Sequence, residues 1–168
     1  MRKKLAKTTS TKRAVADYGA DVLSSEGHQK CAEFIQHGDT TVQQHTISVA
    51  LLATSLARKT HLKYDYQSLI RGALLHDYFL YDWHDKDHPK GHGFKHASLA
   101  LHNAAEDYAI TPIEADIIKK HMWPLNLSTP RCRESIIVTI ADKICSAKET
   151  LGKPIYNNTI QEIIDDTD

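Results

Sequence analysis

A histidine and an aspartate stand side by side inside an apolar run of the sequence, at His76 and Asp77. The run extends from Leu74 to Leu80, and its other residues are leucine, tyrosine and phenylalanine. Burying either polar side chain without a partner costs on the order of several kcal/mol, so a fold that buries this run must supply a partner. Imidazole nitrogen and carboxylate oxygen are both good ligands for first-row divalent metals. The doublet alone fits a bound metal ion and a buried hydrogen bond between the two side chains equally well.

The composition indicates one soluble globular domain. The chain has 168 residues, of which 41% are hydrophobic and 25% are charged, and its net charge is zero. Nothing in this balance indicates nucleic acid or a membrane surface as a partner. The three cysteines have no zinc-like spacing, and the basic start of the chain is not followed by the apolar segment of a secretory signal. We therefore expect a cytoplasmic protein. The eleven histidines are a weak indication of metal or proton chemistry.

Apolar residues recur at helical spacing along most of the chain, whereas no segment alternates convincingly with a period of two. This pattern predicts an all-α, single-domain helical bundle of about seven or eight helices. We expect an N-terminal helical extension at 1–40, a core at 41–151, and a short helix and tail at 152–168, all in one compact domain. The predicted helices cover residues 11–23, 28–37, 41–59, 65–83, 94–108, 111–121, 131–151 and 159–164.

Six polar residues with metal-ligand side chains lie at or near the apolar faces or the ends of five predicted helices. Independent hydrogen bonds would hardly satisfy six such groups, and the two aspartates among them would need cations. We predict no lysine or arginine on the same faces. A pair of metal ions bridged by a carboxylate is a more economical explanation, and it leaves positions open for water and substrate. The six residues are His45, His76, Asp77, His96, His121 and Asp142.

These residues and their surroundings resemble the HD-domain superfamily of metal-dependent phosphohydrolases. That superfamily is all-helical and is defined by a histidine, a His-Asp doublet and a distant aspartate. The matching residues here are His45, the doublet His76-Asp77, and Asp142. Their local sequences also match: HTISVA begins at His45, GALLHD ends at Asp77, and IADKI surrounds Asp142. The resemblance covers about 41–149, which is most of the chain.

The two further histidines resemble the dinuclear branch of the superfamily, which includes bacterial dinucleoside tetraphosphate hydrolases and some cyclic-nucleotide phosphodiesterases. The resemblance implies that Asp77 bridges two ions and that His96 and His121 complete the second site. The first ion would be held by His45, His76, Asp77 and Asp142. His92 is an alternative to His96, and we prefer His96 because it falls in a predicted helix, whereas His92 lies in a glycine-flanked loop.

One position departs from the pattern of these relatives. Many of them carry a lysine three residues after the aspartate of the doublet, where it can contact the substrate phosphate or act as an acid. Here that position is Leu80. The nearest polar alternatives, His84, Lys86 and Lys95, lie in or beside a loop at 82–93 that is rich in charge, histidine and glycine. This loop could cover the site or be an ordinary exposed loop. The predicted catalytic residues are Asp77, His84 and Lys95.

The resulting expectation is an enzyme that hydrolyses a phosphate ester or anhydride through a metal-activated water. We expect two divalent ions, such as iron, manganese or another first-row metal, and a small phosphorylated substrate, for example a nucleotide. Two alternatives stay open. Similar His-Asp helical scaffolds with two irons carry out oxygenase chemistry, and a related module could bind phosphate or nucleotide without turnover.

Overall fold

The computed structural model describes residues 2–82 and 92–167, and the side chains of residues 10–82 and 96–167. Within these ranges the chain forms nine α-helices, one short 3-10 helix and a two-stranded sheet, which confirms the all-α fold class. None of these helices has the length and apolarity needed to cross a membrane. The helices are α1 (Arg2–Tyr18), α2 (Ala20–Leu23), α3 (Glu26–Lys30), α4 (Val42–Lys59), α5 (Tyr66–Leu75), α6 (His92–Asp107), α7 (Pro112–Lys120), α8 (Arg133–Thr150) and α9 (Asn157–Asp165).

A bundle of α4, α5, α7 and α8 forms the core, with α6 packed on α7 and with α1 packed on α4 and α5. Helix α4 is buried along most of its length because apolar residues such as Val49, Leu51 and Ala53 face its neighbours. Helices α4 and α7 begin where the sequence predicts. The side chains of Thr41 and Thr111 cap them, each in a reciprocal capping box with the glutamine or glutamate three residues later.

The predicted helix at 28–37 is wrong in its second half. Helix α3 ends at Lys30, a 3-10 turn follows at Cys31–Glu33, and the chain then forms an antiparallel hairpin. The strands are β1 (Ile35–His37) and β2 (Thr40–Thr41), joined by a turn in which Gly38 has a φ of +57°. Strands of two and three residues are too short to show an alternating pattern, so no periodicity in the sequence predicts this hairpin.

Helix α5 ends at Leu75, although the apolar pattern predicted that it would continue to residue 83. The aromatic side chains of Tyr78 and Phe79 are buried in the core just after the helix. Their backbone carbonyls accept hydrogen bonds of 3.2 and 3.1 Å from the side-chain amide of Asn103 in α6. A distant helix thus satisfies the carbonyls, and His76 and Asp77 lie at the end of α5 rather than within it.

Candidate metal centre

The six predicted ligands converge at one place in the bundle, and each of them is at most 5% exposed. One lies inside α4, two at the end of α5, one in α6, one at the end of α7 and one in α8. The five segments meet because the apolar faces of their helices share one core, which places the polar residues at its centre. In the order of those segments the residues are His45, His76 with Asp77, His96, His121 and Asp142.

Four donor atoms surround a first subsite. The Nε2 atom of His45 lies 3.3 Å from Asp142 Oδ1 and 3.7 Å from Asp77 Oδ2. The Nε2 atom of His76 lies 3.8 Å from the same Asp142 oxygen and 3.4 Å from the same Asp77 oxygen. Four ligands at metal–ligand distances of about 2.1 Å in a tetrahedron lie about 3.4 Å apart. The spacing of these atoms therefore fits one first-row divalent ion.

Three donor atoms surround a second subsite. The other oxygen of the bridging carboxylate, Asp77 Oδ1, lies 3.3 Å from His96 Nε2 and 3.4 Å from His121 Nε2. The two histidine nitrogens lie 2.9 Å apart. Three protein donors leave at least one coordination position for water or substrate, which is the arrangement of catalytic rather than structural sites. The two oxygens of Asp77 thus face two different groups of nitrogens.

The charge states of the two aspartates and of His121 suit metal binding. Burial alone would raise the pKa of Asp77 and Asp142, but the neighbouring histidines outweigh burial and hold both pKa values well below the usual range. Burial lowers the pKa of His121 to about 3, so its imidazole is neutral. Metal ligation requires ionised carboxylates and neutral imidazoles. The Nε2 atoms of His45 and His76 and the Oδ1 atom of Asp77 are buried, and none has a hydrogen-bond partner among the described residues.

An outer layer of acceptors orients three of the histidines. The Nδ1 atom of His76 donates to the carbonyl of Ala73 at 2.7 Å, and that of His121 donates to the carbonyl of Ile118 at 2.8 Å. The Nδ1 atom of His45 lies 2.7 Å from Glu149 Oε2. A proton held on Nδ1 leaves the Nε2 lone pair free, so each ring presents a ligand atom to the centre. Burial opposes a charged His45, but the carboxylates of Asp142 and Glu149 raise its pKa to about 10, so a metal ion that binds its Nε2 atom must displace a proton.

Three residues that contact the cluster were not predicted from the sequence. The amide nitrogen of Gln36 donates to Asp77 Oδ2 at 2.6 Å, and Glu149 contacts His45 as described above. No lysine or arginine was expected on the same helix faces as the ligands to supply a cation, but the ammonium of Lys143, at the next position of α8, lies 2.9 Å from Asp142 Oδ2. Glu149 follows Asp142 by seven residues, a spacing that places both on one helix face and could have indicated it.

Several predicted residues lie outside the described part of the chain. His84 and Lys86 belong to 83–91, and the side chain of Lys95 is likewise not described, so their predicted roles stay predictions. Helix α6 begins at His92, which means that the reason given for preferring His96, a loop position for His92, is wrong. The position of His96 beside Asp77 and His121 now supports it on geometric grounds.

The model of the HD domain family matches residues 42–147, which is more than half of the chain. The protein therefore belongs to the HD domain family, as the resemblance of its motifs predicted. This domain defines a superfamily of metal-dependent hydrolases that bind divalent metals, and the cluster of histidines and aspartates is consistent with that site. Comparison with curated proteins and with solved structures finds no match.

Proposed function

We propose that the protein is a metal-dependent phosphohydrolase that cleaves a phosphate ester or anhydride of a nucleotide or another small phosphorylated metabolite. The observation that carries this proposal is the division of Asp77 between the two subsites, with Oδ2 toward His45 and His76 and Oδ1 toward His96 and His121. When bound there, two divalent ions lower the pKa of a water molecule and neutralise charge on the transferred phosphoryl group.

The side chains of the cluster supply position and charge for this reaction. Asp77 fixes the distance between the two subsites because each of its oxygens is a metal-ligand atom of one subsite. Burial of the donors keeps bulk water from the centre and strengthens its electrostatic interactions. Each subsite combines two imidazole nitrogens with carboxylate oxygen. This mixture suits iron, manganese, cobalt or zinc better than magnesium or calcium, which prefer oxygen ligands alone.

Metal analysis and a substrate panel test the proposal. The purified protein is analysed for bound metal, reloaded with Mn²⁺, Fe²⁺ or Co²⁺, and assayed by chromatography for the hydrolysis products of each substrate. The panel contains p-nitrophenyl phosphate, nucleoside phosphates, dinucleoside tetraphosphates and cyclic nucleotides. We expect two ions per chain and metal-dependent hydrolysis of at least one substrate, which Asp77→Asn abolishes. Asp39→Asn, which changes an exposed aspartate of the hairpin turn, is the matched control and should leave turnover unchanged.

Two outcomes would contradict this proposal. Oxygen consumption by the iron-loaded protein without hydrolysis of any substrate in the panel would favour the oxygenase alternative. Tight nucleotide binding without turnover would favour the binding module. The dinuclear arrangement has its own test in His121→Ala, which removes one of three donors from the second subsite and none from the first. The variant should lose the second ion while keeping the first, and unchanged binding of both ions would refute the assignment of His121.

A further inference from the structure

One side chain that contacts a carboxylate of the metal centre comes from the part of the chain that precedes the region matching the family. Gln36 lies in the middle of β1, is 6% exposed, and donates from Nε2 to Asp77 Oδ2 at 2.6 Å. Its Oε1 atom is also buried, and it has no hydrogen-bond partner in the described part of the chain. Buried polar atoms in native proteins are nearly always hydrogen-bonded, so this oxygen requires a partner, such as a water molecule.

The hairpin fixes the position of Gln36 relative to His45. Strand β2 ends at Thr41, which caps α4, and the amide of Val42 donates to the carbonyl of Phe34 at 2.8 Å. The first turn of α4 is thereby joined to β1, and His45 follows within that turn. On the other side, the turn at Gly38 packs against the end of α8, where an added Cβ would lie 3.0 Å from the carbonyl oxygen of Glu149.

We propose that Gln36 belongs to the metal centre and orients two partners at once. Its N–H group holds Asp77, and its carbonyl oxygen accepts a hydrogen bond from the water molecule that attacks the substrate. An amide carries a donor and an acceptor on one rigid plane, so fixing the nitrogen on Asp77 also fixes the oxygen. The role of Gln36 toward the attacking water rests on the proposed hydrolytic function. Its role toward Asp77 rests on the hydrogen bond between the two side chains.

The residue type follows from the charge of the centre. A lysine or arginine in place of Gln36 would also donate to Asp77, but its positive charge would oppose binding of the cations. A glutamate would place a second carboxylate against the first and would lack the donor. Glutamine supplies a neutral donor, which holds the carboxylate in place and leaves its negative charge available to the metal ions.

Three variants of the full-length protein test the proposal. Gln36→Met retains the length of the side chain and removes both the donor and the acceptor, whereas Gln36→Glu retains an acceptor oxygen and removes the donor. Gln43→Met is the matched control, because Gln43 is also 6% exposed and is not among the described contacts of the metal centre. Each metal-free protein is titrated with Co²⁺ by calorimetry, and kcat and KM are measured separately with p-nitrophenyl phosphate.

We expect Gln36→Met to bind the first Co²⁺ about tenfold more weakly and to lower kcat by roughly 10- to 100-fold, with KM little changed. Gln36→Glu should bind Co²⁺ at least as tightly as Gln36→Met, because of its charge, and should still have a low kcat. Gln43→Met should match the wild type in both measurements. Should Gln36→Met fail to fold, Gln36→Glu carries the test through its kcat.

Two results would overturn the inference. One is a Gln36→Met protein whose Co²⁺ isotherm and kcat equal those of Gln43→Met, including the case in which only its unfolding temperature falls, because Gln36 would then be a structural residue. The other is a wild-type kcat in Gln36→Glu. If the wild-type protein hydrolyses no phosphorylated compound, the proposed function fails on its own, and the Co²⁺ isotherms still decide whether Gln36 supports the ligand Asp77.

Discussion

Replacing Glu149 should weaken the first metal site while leaving the second almost unchanged. The carboxylate lies 2.7 Å from Nδ1 of His45, and the two residues are 2% and 0% exposed. In the described part of the chain, the hydrogen bond and ion pair of the Glu149 carboxylate are with His45, a ligand of the first subsite and not of the second. Glu149→Gln preserves the shape of the side chain and an acceptor oxygen but removes its negative charge. Glu149→Ala removes the acceptor and leaves a buried N–H group without a partner.

The size of the effect follows from the strength of this hydrogen bond. A hydrogen bond to a charged group contributes about 1.5–3 kcal/mol net, and a neutral one contributes about 0.5–1.5 kcal/mol. The difference of about 1–1.5 kcal/mol corresponds to a loss of roughly tenfold in affinity for Glu149→Gln. Glu149→Ala should reach about 100-fold, the upper end of the range for partners of metal-ligating histidines. The second subsite lacks His45, so its affinity should change less than about twofold.

Calorimetric titration of the metal-free protein with Co²⁺ measures both affinities. Because Glu149 also raises the pKa of His45, each titration is run in two buffers of different ionisation heat, which separates metal binding from proton release. Glu134→Gln is the matched control, since Glu134 is a buried glutamate of the same helix that accepts a hydrogen bond from the Asp65 amide. An unchanged first affinity in Glu149→Ala would refute the reasoning.

Three further predictions concern the scaffold. Arg71→Met should lower the free energy of unfolding in urea by about 3–5 kcal/mol, because it strands the buried carboxylate of Glu114, 2.7 Å from the arginine; adding Glu114→Gln should recover part of the loss. Burial lowers the pKa of His28 to about 4, so the unfolded state takes up the proton first and the protein should lose about 3 kcal/mol between pH 6.5 and 4. Urea titrations at several pH values in that range should show that the free energy of unfolding falls less steeply with falling pH in His28→Gln than in the wild type. An identical dependence on pH would contradict the role given to His28. Gly38→Ala should cost about 1–2 kcal/mol in the same assay, because a φ of +57° strains any residue with a Cβ, and an unchanged midpoint would contradict this.

The inner ligands were predictable because each of them breaks a local rule. A histidine or aspartate on an apolar helix face is visible in the sequence itself, and six of them in one chain indicate a shared partner. Helix starts were equally local, since Thr41 and Thr111 each cap a helix through hydrogen bonds with the residue three positions later. These features need no knowledge of the tertiary structure, and the structure places all six residues together.

The helix predictions that were wrong concern segments whose local structure depends on residues far away in the sequence. After α5 ends at Leu75, the carbonyls of Tyr78 and Phe79 accept hydrogen bonds from Asn103, which lies on another helix. The hairpin at 35–41 is held by contacts with the start of α4 and the end of α8. An apolar pattern indicates that a segment is buried, but it does not indicate which other element packs against that segment. Neither the end of α5 nor the hairpin can therefore be predicted from its own residues.

The same division between local and distant contacts applies to the metal centre. All six inner residues fall within 42–147, the region that matches the HD domain family, whereas Gln36 and Glu149 lie just outside it at either end. The boundary at 147 falls inside α8, between Asp142 and Glu149, which share one face of that helix. A fragment limited to the matched region would keep every donor atom but lose two of the hydrogen bonds that orient them. The matched region thus contains all six metal-ligand residues, and the flanking residues Gln36 and Glu149 orient two of them.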